Sequence, residues 1–436
     1  MRVKHEINLT DIHSIKEQLL QWADSFEQVV WLDSNAYPNN DNKYEAVLAV
    51  DADRIFQTDS KEALNELKEY RKSNKDWLFG YLSFDAGRTI DSTKENNRAS
   101  DSLQFSKLSF FHPKKVFLLK KDSVEIHYNS DIENEIETDW KEINEIAVED
   151  TPPVFPDLKI NARLSKLGYF DKFQKIQAYI ERGEISEINF CQEFYAQASL
   201  ENPLAVYRHL NEISRPPFAA YLRMNDKYML CASPERYLSN TDGKLKTQPI
   251  KGTTKRKENV EEDEQARKAL EADRKEILEN TITTEMIVEE LQTIAKKDSV
   301  QVTELCKVYS FKQVHQLIST IVCDLKPELH PVDAISGTYP MGSMTGIPKE
   351  NSLAIIEELE SFHRSLYSGS IGYFTPNDDF DFNVVIRSIL YNAKNKYVSF
   401  SAGGAITALA NPESEYKECL VKVKAMEEVL GSIVGK

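Results

Sequence analysis

The chain has 436 residues, 41% of them hydrophobic, enough for one large domain or two moderate ones with a real core and too much for a small stapled fold. With 54 Lys+Arg against 70 Asp+Glu the formal net charge is -16; such a field repels nucleic acid and anionic membrane surfaces, so an anionic substrate would need a locally basic pocket. The cysteines Cys191, Cys231, Cys306, Cys323 and Cys419 are scattered, odd in number and without CxxC spacing, which argues against a disulfide framework or a zinc site and predicts a reducing cytoplasm.

The amino terminus, MRVKHEINLTDIHSIKEQLL, is polar and amphipathic with no apolar core of signal-peptide type, and no later stretch approaches membrane-spanning length. DIHSIKEQLLQWA predicts a helix, AVLAV and WLFGYLSFD buried strands, and VFLLKKDSVEIHY (Val116–Tyr128) a hairpin. From Asp131 to Asp150 the acids outnumber the single base, Lys141, while Ile132, Ile136, Trp140, Ile143 and Ile146 recur on one helical face, the pattern of a solvated helix. The prolines of TPPVFP, residues 151–156, break helix and ladder alike and mark a linker. It separates an N-terminal α/β portion, 1–150, structural or partner-docking, from a C-terminal portion, 157–436.

Beyond it, Tyr169 to Arg182 predicts a helix with Phe170, Phe173, Ile176 and Ile180 on one face and a stop at Gly183. INFCQEFYAQ reads as a strand, Pro203 to Ile213 as a helix, and AAYLRMNDKYMLCAS as a hairpin leading into SPERYLSNTDGKLKTQPIKGT, Ser233 to Thr253. Here Arg236–Ser239 and Lys244–Ile250 form two arms joined by a turn at Asn240–Gly243, whose Asp242-Gly243 pair is a strong hairpin signal. Glu235 and Lys251 fall at strand ends, near each other. Lys251, between Ile250 and Gly252, is predicted to be partly withdrawn from water, to lose its charge and to become nucleophilic. Taken alone, the two are equally a surface carboxylate and a surface lysine.

Glu261 to about Lys297 is a long charged helical stretch with a predicted break near Thr281–Thr284, where Thr is a poor helix former. Glu276 and Glu279, and Glu415 and Glu418, are each three apart, so each pair shares a helix face. Two such faces meeting would make an oxygen-only site suited to Mg²⁺, although either pair alone reads as exposed helix acids and Glu418 has Lys422 at i+4. YPMGSMTGIPK, Tyr339 to Lys349, places glycines, hydroxyls and a lysine in a turn before a helix starting near Pro348, either an anion site or a plain loop. Arg387 in VVIRSIL is predicted on a largely buried strand and needs an anionic partner, internal or bound. A final helix from Pro412 to Leu430 has Asn411 as N-cap and Gly431 past its end. Many hairpins with outer helices predict an α+β fold, not a doubly wound parallel sheet.

SPER and PIKGT, in this order and at this separation, resemble the signature of the chorismate-utilising enzymes in the form carried by the aminodeoxychorismate synthase component I group; the anthranilate synthase component I group resembles it with alanine in place of Lys251. GSMTGIPK resembles the family's GSxTGxPK, and Gly369–Tyr373 (GSIGY) and Ser401–Ile406 (SAGGAI) resemble two further pocket segments. The resemblance implies large antiparallel β-sheets packed in a sandwich with helices outside. It also implies that chorismate is bound by Thr253, Ser343, Thr345, Gly346, Lys349, Tyr373, Arg387, Gly403 and Gly404, with Mg²⁺ on Glu276, Glu279, Glu415 and Glu418. Glu235 would protonate the departing C4 hydroxyl, Lys251 would add to the ring, and ammonia would displace the lysine to give 4-amino-4-deoxychorismate, on the path to p-aminobenzoate and folate. No glutaminase signature is visible, which predicts ammonia from a separate glutamine amidotransferase subunit. Anthranilate formation and a non-catalytic chorismate-binding relative are the alternatives.

The chain departs from the family at named places. Met341 and Ile347 replace small residues, and Ala405 stands for a third glycine. Gln316 stands where the family has histidine, and His315, one residue earlier, is predicted to face the other way. TITTEMIVEELQTIAKK lacks the family's IVDL and RND pattern. Glu187 occupies the place of the water-activating lysine of isochorismate and salicylate synthases, which disfavours water addition.

Overall fold

Alternating apolar residues decide the layering of the chain, whose computed structural model describes residues 2–37, 43–87, 99–147, 156, 158–311 and 314–431. On the strand Gln28–Asp33, Val29 and Trp31 enter one core while Val30 enters a second. The strand Ala46–Thr58 repeats this, with Ala46, Leu48 and Val50 in the first core and Val47 and Ala49 in the second. On Leu78–Leu82, Phe79 and Tyr81 share that second core, whereas Leu78 and Leu82 turn to a third. Successive side chains of a strand point to opposite faces, so the second core lies between two sheet layers and the others lie under helices. Ile12–Ala23, Lys166–Glu181, Pro203–Ser214 and Pro412–Val429 cover the first; Ala63–Ser73, Arg274–Ile294 and Pro331–Thr338 cover the third. Each buried Leu or Phe is worth roughly 1.5–3 kcal/mol, which is why neither outer face is left without its helices. The arrangement is the α+β sandwich expected, with helices outside.

The described strands form one network of 20 strands, and its ladder path explains where the site lies. From Leu108–Leu119 it runs one way through Ala46–Thr58, Gln28–Asp33, Phe218–Met224, Lys227–Ser233, Ser388–Asn392 and Tyr397–Thr407 to Glu187–Gln197. The other way it runs through Leu78–Leu82, Ser370–Phe374, Phe380–Asn383, Arg236–Thr241 and Lys244–Gln248 to Val314–Asp324, which also carries Ile250–Lys255. All these pairs are antiparallel. The two remote ends of the path meet where Glu187 touches Lys251. Strands from residues 1–150 pair with later ones at Gln28–Asp33 with Phe218–Met224 and at Leu78–Leu82 with Ser370–Phe374. Of the predicted linker, residues 151–155 lie outside the described residues.

Local chemistry accounts for most element ends. Asp242 and Gly243 have φ of 50° and 79°, the positive values a two-residue hairpin turn requires. Beyond Gln248 the arm is interrupted, because Pro249 has no N–H to give the ladder; Lys251 therefore lies on a separate strand, Ile250–Lys255. Asn411 caps the last helix by accepting from the N–H groups of Glu413 and Ser414. The long helical stretch does break, but between Val260–Glu271 and Arg274–Ile294 and not at Thr281–Thr284. Asp273 caps the second helix by accepting from the N–H groups of Lys275 and Glu276, while Thr281 and Thr284 donate their hydroxyls to the carbonyls of Ile277 and Asn280. With Thr283 and Thr284 buried, packing overrides a weak propensity. Among the described residues no helix is long and apolar enough to cross a membrane.

Candidate active site

Glu235 stands where Lys227–Ser233 hands over to Arg236–Thr241. Its side chain is 3% exposed, and Oε1 accepts from Ser343 Oγ at 2.8 Å. Burial pushes the carboxyl up to about 7, against the pull of Ser343 and Lys251, so the acid form is available near neutrality.

Lys251 Nζ donates to Glu187 Oε1 at 2.7 Å. Burial disfavours the ammonium, but Glu187, with Glu279 and Glu235 behind it, holds the amine above the ordinary lysine range. The neutral amine expected from sequence is thereby corrected: a buried lysine sheds its proton where no carboxylate balances it, and Glu187 balances this one. The next residue, Gly252, has φ of +88°, and a Cβ there would stand 3.1 Å from Glu276 Oε2, so the backbone needs glycine both for its conformation and for its approach to the glutamate. Thr253 pairs with Gln316 across the ladder and its Oγ1 accepts from Gln316 Nε2 at 3.4 Å. His315 faces away as predicted, its ring 2.8 Å from Ser310 Oγ and 3.1 Å from Asp263.

The glutamate pairs come from two helices, Arg274–Ile294 and Pro412–Val429, bridged by Lys275. Burial and the charge of Glu279 push Glu276 up to about 7, and burial likewise raises Glu279 and Glu415, each within the field of Glu418. Glu418 differs: burial opposes its charge, but Lys422 at 2.6 Å holds it below the ordinary range. Lys275 Nζ lies 3.6 Å from Glu279 and 3.4 Å from Glu415. Among the described residues no three His, Cys, Asp or Glu gather in a geometry that holds a metal. The donor set is nonetheless all carboxylate, the type a hard divalent cation takes. Gly404 belongs to the same wall, since a Cβ there would stand 3.1 Å from Glu415 Oε2.

The remaining predicted residues separate into those near this pocket and those held elsewhere. Arg387 is not on a strand: it precedes Ser388–Asn392 with φ of +53°. Burial lowers the proton affinity of its guanidinium, opposed by Tyr367 and Glu418, and no hydrogen bond or ion pair reaches it among the described residues. Gly403 O accepts from Lys422 Nζ at 2.9 Å. In the GSMTGIPK loop, Ser343 meets Glu235, but Thr345 Oγ1 bonds the carbonyl of Gly342 at 3.1 Å. Gly346 pairs with Ile188, and Lys349 Nζ is taken by Glu290 at 2.6 Å and the Thr338 carbonyl at 3.1 Å. The loop therefore spends most of its polar groups on itself and its neighbours instead of forming an open anion cradle. Tyr373 packs against Trp77 and Phe79 at 5.7 and 5.5 Å and lines a different cavity, with Asp33, Phe218 and Asp381. Tyr367, beside Arg387, went unnoticed in the sequence, as did the ammonium of Lys275, four residues before Glu279 on the same helix; Lys422 was read there only as the i+4 partner of Glu418.

The fold and these residues can be set beside known proteins. A model described as chorismate binding enzyme matches residues 27–428. The chain belongs to the chorismate binding enzyme family. Among curated members, a chloroplastic aminodeoxychorismate synthase of Arabidopsis thaliana is 38% identical over 264 residues, which is 60% of this chain and 28% of that protein. Aminodeoxychorismate synthase component 1 of Escherichia coli is 31% identical over 346 residues, 79% of this chain and 74% of that one. The chain thus spans little more than a quarter of the plant relative's length. Anthranilate synthase component I of Streptococcus pneumoniae has the same fold, with a TM-score of 0.77 at 23% identity, covering 89% of this chain and 93% of that one.

Proposed function

We propose that this chain converts chorismate and ammonia to 4-amino-4-deoxychorismate. The observation that carries the reading is a buried acid and a largely buried amine, the amine held by Glu187 at 2.7 Å and the two within each other's field. Glu235, in its acid form, protonates the C4 hydroxyl as it departs; loss of hydroxide without a proton donor is too costly near neutrality. Lys251 supplies the nitrogen that bonds to the ring, and ammonia then displaces it. Arg387, with no carboxylate on its guanidinium among the described residues, is suited to a ring carboxylate. Ser343 holds the Glu235 carboxyl, and Thr253 and Gln316 offer hydroxyl and amide groups at the rim.

Glu276, Glu279, Glu415 and Glu418 would hold Mg²⁺, which when bound supplies positive charge for a substrate carboxylate. Lys275 and Lys422 neutralise part of that cluster without it. Ammonia comes, in this reading, from a separate glutamine amidotransferase subunit, and the free cysteines suit a reducing cytoplasm.

The test is to incubate the purified protein with chorismate, Mg²⁺ and ammonium at mildly basic pH and to identify the product. Aminodeoxychorismate is expected; anthranilate, or no turnover at any ammonia concentration, overturns the reading. With ammonium omitted, an adduct of chorismate on the protein is expected by intact mass and is lost in Lys251→Ala; an adduct that survives that substitution removes Lys251 from its role.

A further inference from the structure

An ammonium has no lone pair, so Lys251 must give up a proton before it can bond to the ring. Charged groups face it from each element packed around it: Glu187 from the strand Glu187–Gln197, Glu235 ahead of Arg236–Thr241, Glu279 from the helix Arg274–Ile294, and Glu418 of the last helix within its field. Glu235 has to keep its own proton for the leaving hydroxyl. Glu279 stands in the carboxylate cluster, with Lys275 at 3.6 Å. Glu187 is the one in hydrogen-bond contact with Nζ, at 2.7 Å.

Glu187 is also built for the task. It is 5% exposed, its backbone is locked between Ile347 on one side and Thr407 on the other, and Oε2 is buried without a hydrogen-bond partner among the described residues. Among the described residues, Lys251 is the donor on its carboxylate. We propose that Glu187 is the proton acceptor of the nucleophile, holding Lys251 as an ammonium in the free protein and taking one proton from Nζ as the ring is attacked. This rests on the lysine-adduct reading above.

The protons balance. Nζ passes a proton to Glu187, and its lone pair forms the C–N bond while the ring double bond shifts and the C4–O bond breaks. Glu235 gives the proton that makes water of the leaving hydroxyl. Ammonia then bonds at C4, the double bond shifts back and Nζ departs with its electron pair. Glu187 returns its proton to Nζ, and the new ring ammonium gives one to Glu235. Chorismate and ammonia become aminodeoxychorismate and water, with each side chain restored.

A proton kept inside the pair makes adduct formation independent of solution pH, whereas one lost to solvent makes it tenfold faster per pH unit. The experiment measures the rate of adduct formation by quenched intact mass with chorismate and Mg²⁺, without ammonium, over about pH 5 to 6, below the value of about 7 to which Glu235 and Glu276 are raised. A flat profile is expected for the native protein, and for Glu187→Gln a slower rate that rises with pH only where Lys251 is still an ammonium. A native profile that itself climbs tenfold per unit overturns the proposal and leaves the adduct reading standing, and so does a Glu187→Gln variant that forms the adduct at the native rate across the range. If the native protein forms no adduct at any pH, the adduct reading falls and this proposal with it.

Discussion

Glu235 carries opposite demands from folding and from chemistry. Its carboxyl is moved from an ordinary 4.5 to about 7 by burial, so a folded protein keeps the proton where an unfolded one has lost it. The sign follows: stability is undiminished below about pH 4.5, declines as pH rises between the two values, and above about 7 is lower by about 3 kcal/mol. Glu235→Gln, which cannot ionise, is expected to raise Tm at pH 8 and to leave it unchanged at pH 4. The same substitution removes the proton donor and is expected to slow product formation by about 10²–10⁴-fold; a variant that is stabilised but still active separates the acid role from burial. In the native protein, turnover limited by this acid falls on the alkaline side of about pH 7, checked by the pH profile at saturating ammonia. Glu235 and Lys251 were legible in the sequence because their motifs lie close together along the chain. Glu187 was legible only as a departure, because the lysine it holds is 64 residues away.

At the scale of elements, caps and prolines were readable and helix interiors less so. Asn411, Pro412 and Gly431 end the last helix as their side chains and backbone freedom require. The break at Ala272–Asp273 was missed because Thr propensity suggested another place, while the decisive event is a carboxylate accepting N–H groups at the start of the next helix. That cap holds the first turn from which Glu276 projects. Asp273→Ala is expected to cost about 1 kcal/mol of stability, read in urea unfolding, and to weaken Mg²⁺ binding measured by calorimetry; unchanged binding would show that the helix start does not aim the glutamates. Arg387 was misplaced on a strand for a related reason, since VVIRSIL alternates as a strand does but the chain turns through a positive φ at the arginine.

Across the whole molecule, the ladder passes between residues before and after the predicted linker, and side chains reinforce it. Arg71, fully buried, reaches from the helix Ala63–Ser73 to Asp378 at 2.7 Å and to the Thr375 carbonyl at 2.7 Å. Arg71→Ala removes one of the two basic partners of Asp378, the other being Lys75, and is expected to cost about 2 kcal/mol; because the strands are shared, urea unfolding is expected to stay one transition in tryptophan fluorescence and circular dichroism alike. Two separated transitions would mean that the portions fold independently. By itself the sequence determined the class of fold, through hairpin turns and strand alternation, and the acid and amine, through motifs whose spacing is local. Only the tertiary structure decided that Glu187 pairs with Lys251, that Lys349 is held by Glu290 and Tyr373 lines another cavity, and that Lys275 stands among the glutamates. The physical reason is that proton affinity and ion pairing depend on distance through space and on exclusion of water. Here both are set where the two ends of a long ladder close on each other.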